Sequence, residues 1–153
     1  MALAKLQPRP ETQVPVVSRF NMPDLLKRAN WLVERLGTRF PHLNERSLIG
    51  FLRGCLESND FNFVQTRNAV GLAQITRRPL DVQPIVEEVF VLTYGDAIGE
   101  GAAIYDEFRR WASVIGATEV IVDRFTDVPR ETIKNTLGRL LSRETIFVKV
   151  ALR

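Results

Sequence analysis

The feature that most constrains the fold of this chain is a long apolar, β-branched run, IVEEVFVLT, at residues 85–93. A glycine-containing stretch, YGDAIGEG, follows it and leads into apolar residues at helical spacing from about Gly101 to Ile115. A second β-branched run, EVIVD, then covers residues 119–123. This order predicts a strand, a loop, a crossover helix and a parallel strand, so the chain needs a sheet with a helix packed on its face.

The rest of the chain supplies further strands and helices. Asn21, Met22 and Pro23 begin one stretch of apolar residues at helical spacing, and Asn44 precedes a second, where its side chain would cap the helix. Together the patterns predict an α/β (α+β) fold with a mixed, mostly antiparallel central sheet and helices on both faces. The remaining predicted strands cover residues 14–20, a run from Phe61, residues 69–76 and residues 145–152, and the last predicted helix runs from Pro129 to about Ser142.

Composition limits the classes of function. The chain has 153 residues, of which 45% are apolar and 25% charged, which suits one compact domain. Its net charge of +3 is too small to predict a nucleic acid or an anionic membrane as partner. One cysteine and one histidine exclude an internal disulfide framework and a Cys/His zinc cluster, so no metal is expected. With no apolar run long enough for a membrane span, a cytoplasmic protein is expected.

The first fifteen residues differ from the rest of the chain. Pro8, Pro10 and Pro15 fix their own φ angles and favour extended backbone before them. We therefore predict a Pro-rich N-terminal arm over residues 1–15 and a single domain over residues 16–153. The arm is either a loose leader or a segment that becomes ordered against a protein partner.

The glycine-containing loop is the candidate binding site. Gly99 and Gly101 permit positive φ and close approach of a ligand to the backbone, and the following helix adds partial positive charge at its first amides. A pyrophosphate would suit such a loop, whereas the plain alternative is a loop that only reverses the chain. The candidate residues are Ala97, Ile98, Gly99, Glu100, Gly101 and Ala102.

These stretches resemble the GNAT superfamily, the acyl-CoA-dependent N-acetyltransferases. VVSRFNMPDLLKRANWLVERL resembles the family's first strand and helix, and IVEEVFVLTYGDAIGEGAAIYDEFRRWASVIGATEVIV resembles its fourth strand, pyrophosphate loop, third helix and fifth strand. The family loop reads Arg/Gln-x-x-Gly-x-Gly/Ala and aligns with residues 96–101. The resemblance covers the chain from about Val14 onward. It implies a V-shaped opening between the fourth and fifth strands, parting near Thr93, where acetyl-CoA or CoA inserts.

The resemblance also implies roles for particular residues. Backbone groups of Val91, Leu92 and Thr93 would pair with the pantetheine, and the amide that follows Leu92 would polarise the acyl carbonyl. Amides of residues 97–102 would bind the pyrophosphate. Either Glu87 or Glu88 would be the general base, because adjacent strand residues face opposite sides of a sheet; alternatively both are ordinary sheet carboxylates.

Three departures from the family pattern fall on the chemistry. Asp96 stands where the family has Arg or Gln, and Glu100 lies in the same loop; each would weaken diphosphate binding by about 1 kcal/mol. Alternatively, Asp96 caps the loop's own amides and so fills the anion site from within. The last helix lacks the family's general-acid tyrosine, leaving only Tyr94 and Tyr105 in the chain. About ten residues after that helix allow one strand instead of two, which shortens the C-terminal strand region.

Two functions remain open from the sequence. The first is a GNAT-like domain with weakened or lost catalysis that serves as a binding or structural component of an assembly, such as a bacteriophage particle. It would act through its N-terminal arm or as a homo-oligomer, without specific nucleic acid or membrane contacts, and would then reside in the virion. The alternative is an active N-acetyltransferase that moves an acetyl group from acetyl-CoA to an amine.

Overall fold

A single six-stranded sheet organises the chain. The computed structural model describes residues 15–77, 79–80, 83–141 and 147–150, with side chains up to residue 137. The strand order is β1-β2-β3-β4-β5-β6; β1 to β4 pair antiparallel, and β4, β5 and β6 pair parallel. The elements are β1 (Ser18–Arg19), α1 (Met22–Gly37), α2 (Glu45–Glu57), β2 (Phe61–Gln65), β3 (Ala69–Thr76), β4 (Ile85–Thr93), α3 (Glu100–Ile115), β5 (Glu119–Val122), α4 (Arg130–Leu141) and β6 (Phe147–Val150). The predicted mixed, mostly antiparallel sheet is confirmed.

The helices pack on both faces of the sheet, as predicted. Phe20 and the buried stripes of α1 and α2 cover one face, where they meet Phe63, Leu72 and Phe90. The buried stripe of α3, with Ile133 of α4, covers the opposite face. Each apolar face of the sheet is thereby removed from water, which is the main stabilising term in a fold of this type.

Both helices begin where predicted, and an asparagine side chain caps each of them. The Asn21 side chain accepts a hydrogen bond from the Asp24 amide at 3.0 Å, and the Asn44 side chain accepts one from the Ser47 amide at 2.8 Å. Pro23 lies in the first turn of α1, where its missing N–H costs no helical hydrogen bond. These local signals determine where α1 and α2 begin.

Gly71 of β3 sets how closely α3 approaches the sheet. A Cβ atom at this position would overlap Ile104 Cγ2 and lie 3.0 Å from Phe108 Cζ. The absence of a side chain therefore lets two large residues of α3 pack directly on the strand backbone.

The first predicted strand, residues 14–20, is wrong in its length. Only Ser18–Arg19 form β1, which pairs with Gln65 and Val64 of β2. Gln65 ends β2, so Val17, the described residue before Ser18, has no strand residue opposite it. After Arg19, Phe20 turns inward and stacks on Phe63 at 4.3 Å between ring centroids, and the chain enters α1.

The two ends of the chain are described only in part. The predicted arm, residues 1–15, lies outside the described residues except for Pro15, and the domain boundary stays a prediction. The predicted strand at 145–152 is observed over Phe147–Val150, in parallel with β5, and its other residues are not described. Within the described residues, no helix combines the length and apolarity that a membrane span requires.

We expect the thiol of Cys55 to be chemically inert in the folded protein. Cys55 is buried in α2, and burial raises the pKa of its thiol to about 11, so almost no thiolate forms at pH 8. Modification by a disulfide reagent at this pH should be slow without denaturant and fast in guanidinium chloride. Rapid labelling of the native protein would contradict the packing of α2.

Candidate functional site

The strands β4 and β5 part from each other, as the resemblance predicts, but earlier than Thr93. Their parallel pairing covers only Ile85 to Glu87 opposite Glu119 to Ile121. A register shift against β3 leaves Val89 as an extra residue in β4 and bends the strand. The opening therefore begins at Glu88.

The Glu88 carboxylate lies where this opening begins and links β4 to the residues that follow β5. It is buried, with 2% of its surface exposed, and it accepts hydrogen bonds from the amides of Asp123 (3.1 Å), Arg124 (2.9 Å) and Phe125 (2.8 Å) and from the Tyr105 hydroxyl. Asp123 has a left-handed backbone with φ 62°, which aims three successive amides at one anion. Burial raises the pKa of Glu88, and the four donors oppose that rise.

Residues 123–127, which we call the crossing segment, run from the end of β5 back to β4. The Val91 amide donates to the Phe125 carbonyl at 3.0 Å, and Val91 forms an isolated parallel bridge with Thr126. The Thr93 amide donates to both carboxylate oxygens of Asp127, at 3.1 and 3.0 Å, and the Thr93 hydroxyl donates to Asp127 at 3.0 Å. The chain itself thus binds the amides of Val91 and Thr93, two of the three β4 residues whose backbone groups the resemblance assigned to pantetheine.

An arginine of α1 holds the crossing segment in this position. Arg35 forms an ion pair with Asp127 and donates to the Thr93 carbonyl at 3.3 Å. Both backbone groups of Thr93 are therefore satisfied within the protein. At the other end of the crossing segment, Arg130 donates to Asp123 at 2.6 Å.

The predicted pyrophosphate loop forms a hollow of about 300 Å³ at the N-terminal end of α3, which we call the α3 hollow. Gly99 precedes α3 with φ 76°, and no side chain caps the helix there. The Glu100 amide, the first of α3, donates to the Ala97 carbonyl at 3.0 Å, whereas no acceptor is seen for the next two amides, of Gly101 and Ala102, among the described residues. This end of the hollow therefore suits an anion. The lining residues include predicted Thr93, Ala97, Ile98, Gly99, Gly101 and Ala102, together with Asp127, Val128, Pro129 and Thr132.

The charges around the α3 hollow disfavour a diphosphate. None of its lining residues is a lysine or arginine among those described, and Asp127 contributes a carboxylate. Asp96 is exposed, and no hydrogen bond of its carboxylate to a loop amide is seen in the described part of the chain. Glu100 folds away instead, since its carboxylate accepts the Asn68 amide at 2.7 Å.

The two glycines of the loop have different structural roles. Gly99 needs the left-handed backbone that it adopts. Gly101 is required by packing, because a Cβ there would lie 2.5 Å from Val128 Cγ2. The second glycine of the motif therefore serves contact with the loop before α4 rather than approach of a ligand.

The two predicted general bases are held to different degrees. Both oxygens of Glu88 are hydrogen-bonded, and Glu87 lies 3.4 Å from Arg124 in an ion pair. Tyr105 packs in the core as predicted, and burial raises the pKa of its hydroxyl. Tyr94 donates to the Arg67 carbonyl and so faces the turn between β2 and β3.

Sequence reasoning missed Asp127 and Arg35. Asp127 stands two residues before Pro129, where it looks like part of a helix start, and Arg35 looks like a solvated residue of the last turn of α1. Their contact joins residues 92 positions apart. No local signal in the sequence indicates such a contact.

Among the described residues there is no cluster of His, Cys, Asp and Glu that would hold a metal ion.

Comparison with known proteins gives a structural likeness and no sequence relative. No family model matches the chain, and no curated protein matches it. A GNAT family acetyltransferase of Staphylococcus aureus superposes with a TM-score of 0.56 at 10% identity, over 78% of this chain and 90% of that one. An aminoglycoside 6'-N-acetyltransferase of Acinetobacter baumannii gives a TM-score of 0.59 at 10% identity, over 84% and 86% of the two chains.

A third similar structure is AAC(6')-Iy, in complex with a bisubstrate analogue that contains CoA. Its TM-score is 0.52 at 14% identity, over 90% of this chain and 96% of that one. The likeness thus extends over most of each protein. At identities this low it establishes architecture and leaves chemistry open. The chain has the fold of the GNAT acetyltransferases.

Proposed function

We propose that this chain is a GNAT-fold binding protein with weakened or lost acetyltransferase activity. The observation that carries the proposal is that the amides of Val91 and Thr93 donate to the chain's own Phe125 and Asp127. A pantetheine that paired with β4 would have to displace both contacts. In this arrangement the edge of β4 does not fit the cofactor that the fold implies, although the end of α3 suits an anion.

The electrostatics of the same amide support the proposal. The Thr93 amide is the donor expected to polarise an acyl carbonyl, and it faces the Asp127 carboxylate instead. A fixed negative charge beside a developing oxyanion opposes the reaction, whereas acyl transfer needs donors aimed at that charge. Glu88, the predicted base that lies at the opening, accepts four hydrogen bonds and would have to break one of them to take a proton.

The assembly role belongs to the same proposal. A protein that keeps a fold without its reaction acts through binding to other proteins. Here the Pro-rich arm would bind a partner protein, or two copies of the chain would bind each other. A bacteriophage particle is one such assembly, and a virion location would follow from it.

Calorimetric titration with CoA and with acetyl-CoA tests the proposal. We expect no saturable heat up to roughly 1 mM ligand, because displacing two backbone hydrogen bonds and approaching Asp127 each oppose binding. A parallel assay of CoA release with a panel of amines should stay at the uncatalysed rate. Micromolar binding together with turnover would overturn the proposal.

One observation favours an active N-acetyltransferase as the second candidate. The α3 hollow lies at the N-terminal end of α3, where Gly99 has a left-handed backbone and no side chain caps the helix. A phosphate site at a helix N-terminus has these features. The bisubstrate complex of a similar structure indicates CoA or acetyl-CoA as the ligand for a hollow of this kind. In that case the crossing segment would have to move before the cofactor binds.

A further inference from the structure

We infer that the C-terminal end of α1, with the crossing segment beside it, is a docking surface for an acidic segment of a partner protein. The inference names a partner chemistry for the binding role proposed above and rests on that role. The surface consists of Arg35, Arg39, Phe40, Arg124 and Phe125, and we call it the arginine face.

Three arginines, two on α1 and one just after it, have guanidinium groups in contact with aromatic rings. Arg28 and Arg35 are seven residues apart on α1 and so lie within about 20° of each other around its axis, and Arg39 follows two residues after the helix ends. Each guanidinium lies over an aromatic ring: Arg28 over Tyr94 at 4.7 Å, Arg35 over Trp31 at 5.5 Å, and Arg39 over both Phe40 and Phe125. Stacking of this kind holds a guanidinium in place before any ligand arrives.

Arg39 carries a charge that no carboxylate of the described residues neutralises. Its guanidinium lies 6.0 Å from the Phe40 ring and 5.7 Å from the Phe125 ring, and it donates to the Arg124 carbonyl. A carbonyl satisfies one donor but does not neutralise the charge. Within the described residues no carboxylate pairs with Arg39, whereas Arg35 pairs with Asp127. A guanidinium has five N–H donors, so Arg39 keeps donors for a carboxylate.

An exposed apolar ring lies directly beside this charge. Phe40 is 52% exposed and meets Phe125 edge to face at 6.4 Å. A fixed guanidinium next to an open apolar ring matches a peptide that presents a carboxylate beside an apolar side chain. A nucleic acid fits less well, because the Phe125 ring is already covered by Arg39 and Phe40 and so is not open for a base to stack on it.

Fluorescence anisotropy with a labelled acidic peptide, Glu-Glu-Leu-Glu-Glu-Leu, tests the inference. We expect saturable binding with a dissociation constant below about 1 mM at low salt, weakening as salt rises. Arg39→Glu should weaken binding by roughly tenfold or more, and Arg39→Gln by less. The matched control is Arg53→Glu on α2, which makes the same charge change at an exposed site outside the arginine face and should leave affinity within about twofold.

Four results would overturn the inference. They are no binding by the unmodified protein, an equal loss in Arg53→Glu and Arg39→Glu, no loss in a folded Arg39→Gln variant, and tighter binding of a thymidine oligonucleotide than of the peptide. Thermal melts check that each variant folds. CoA titration of Arg39→Glu should match the unmodified protein, so a failure of the proposed function and a failure of this inference appear in different measurements.

Discussion

Replacing Asp127 with alanine is expected to strengthen CoA binding by roughly 10- to 100-fold. This gain would bring a dissociation constant above about 1 mM into the range that calorimetry measures. The substitution frees the Thr93 amide and hydroxyl, removes a carboxylate from the lining of the α3 hollow, and releases Arg35. The gain should appear in calorimetric titration of the variant with CoA.

Asp96→Ala is the matched control for Asp127→Ala. It removes the same charge from the loop beside the α3 hollow but frees no backbone donor among the described residues. We expect at most about a fivefold gain, the equivalent of roughly 1 kcal/mol of repulsion. If the two variants gained equally, repulsion alone would explain the weak binding. If a folded Asp127→Ala variant still bound no CoA, the occupied Thr93 amide would not be the obstacle.

Replacing Glu88 with alanine is expected to be among the most destabilising substitutions in the described part of the chain. It removes one buried carboxylate and leaves three backbone amides and the Tyr105 hydroxyl without their acceptor. Unsatisfied buried donors cost about 1–3 kcal/mol each, so we expect a loss of at least about 3 kcal/mol in the free energy of unfolding. Thermal melting should fall by roughly 6–12 °C.

The adjacent Glu87→Ala variant provides the comparison. Glu87 is partly exposed and makes a single 3.4 Å ion pair with the exposed Arg124, so its loss should cost less than about 1 kcal/mol. Chemical denaturation of both variants measures the difference. Equal losses would mean that Glu88 does not anchor the crossing segment, and the account of the opening between β4 and β5 would be wrong.

Local pattern was sufficient to predict most of the fold. The β-branched run Ile85–Thr93, the helical spacing in α3 and the capping asparagines Asn21 and Asn44 each act over a few residues. Such signals predict elements well because they reflect steric preference and burial of one face. The short β1 escaped this reasoning, since its length depends on where β2 ends.

The candidate site was predicted only in outline for a related reason. The glycine loop and the end of α3 lie within one stretch of sequence, so their joint position was predictable, and six of the predicted residues line the α3 hollow. The roles of Glu88 and Thr93 depend on residues 123–127 and on Arg35, which reach them across long separations in sequence. These contacts form where β4 bends at Val89, and the sequence pattern does not show that bend.

By itself, then, the sequence determined the element order, the two-sided packing of the sheet and a loop suited to an anion, because periodicity and glycine placement are properties of neighbouring residues. Only the tertiary structure decided that β4 satisfies its amides within the chain. A backbone donor takes whichever acceptor the folded chain brings within reach, and here Asp127 and the Phe125 carbonyl reach β4 from the far end of β5.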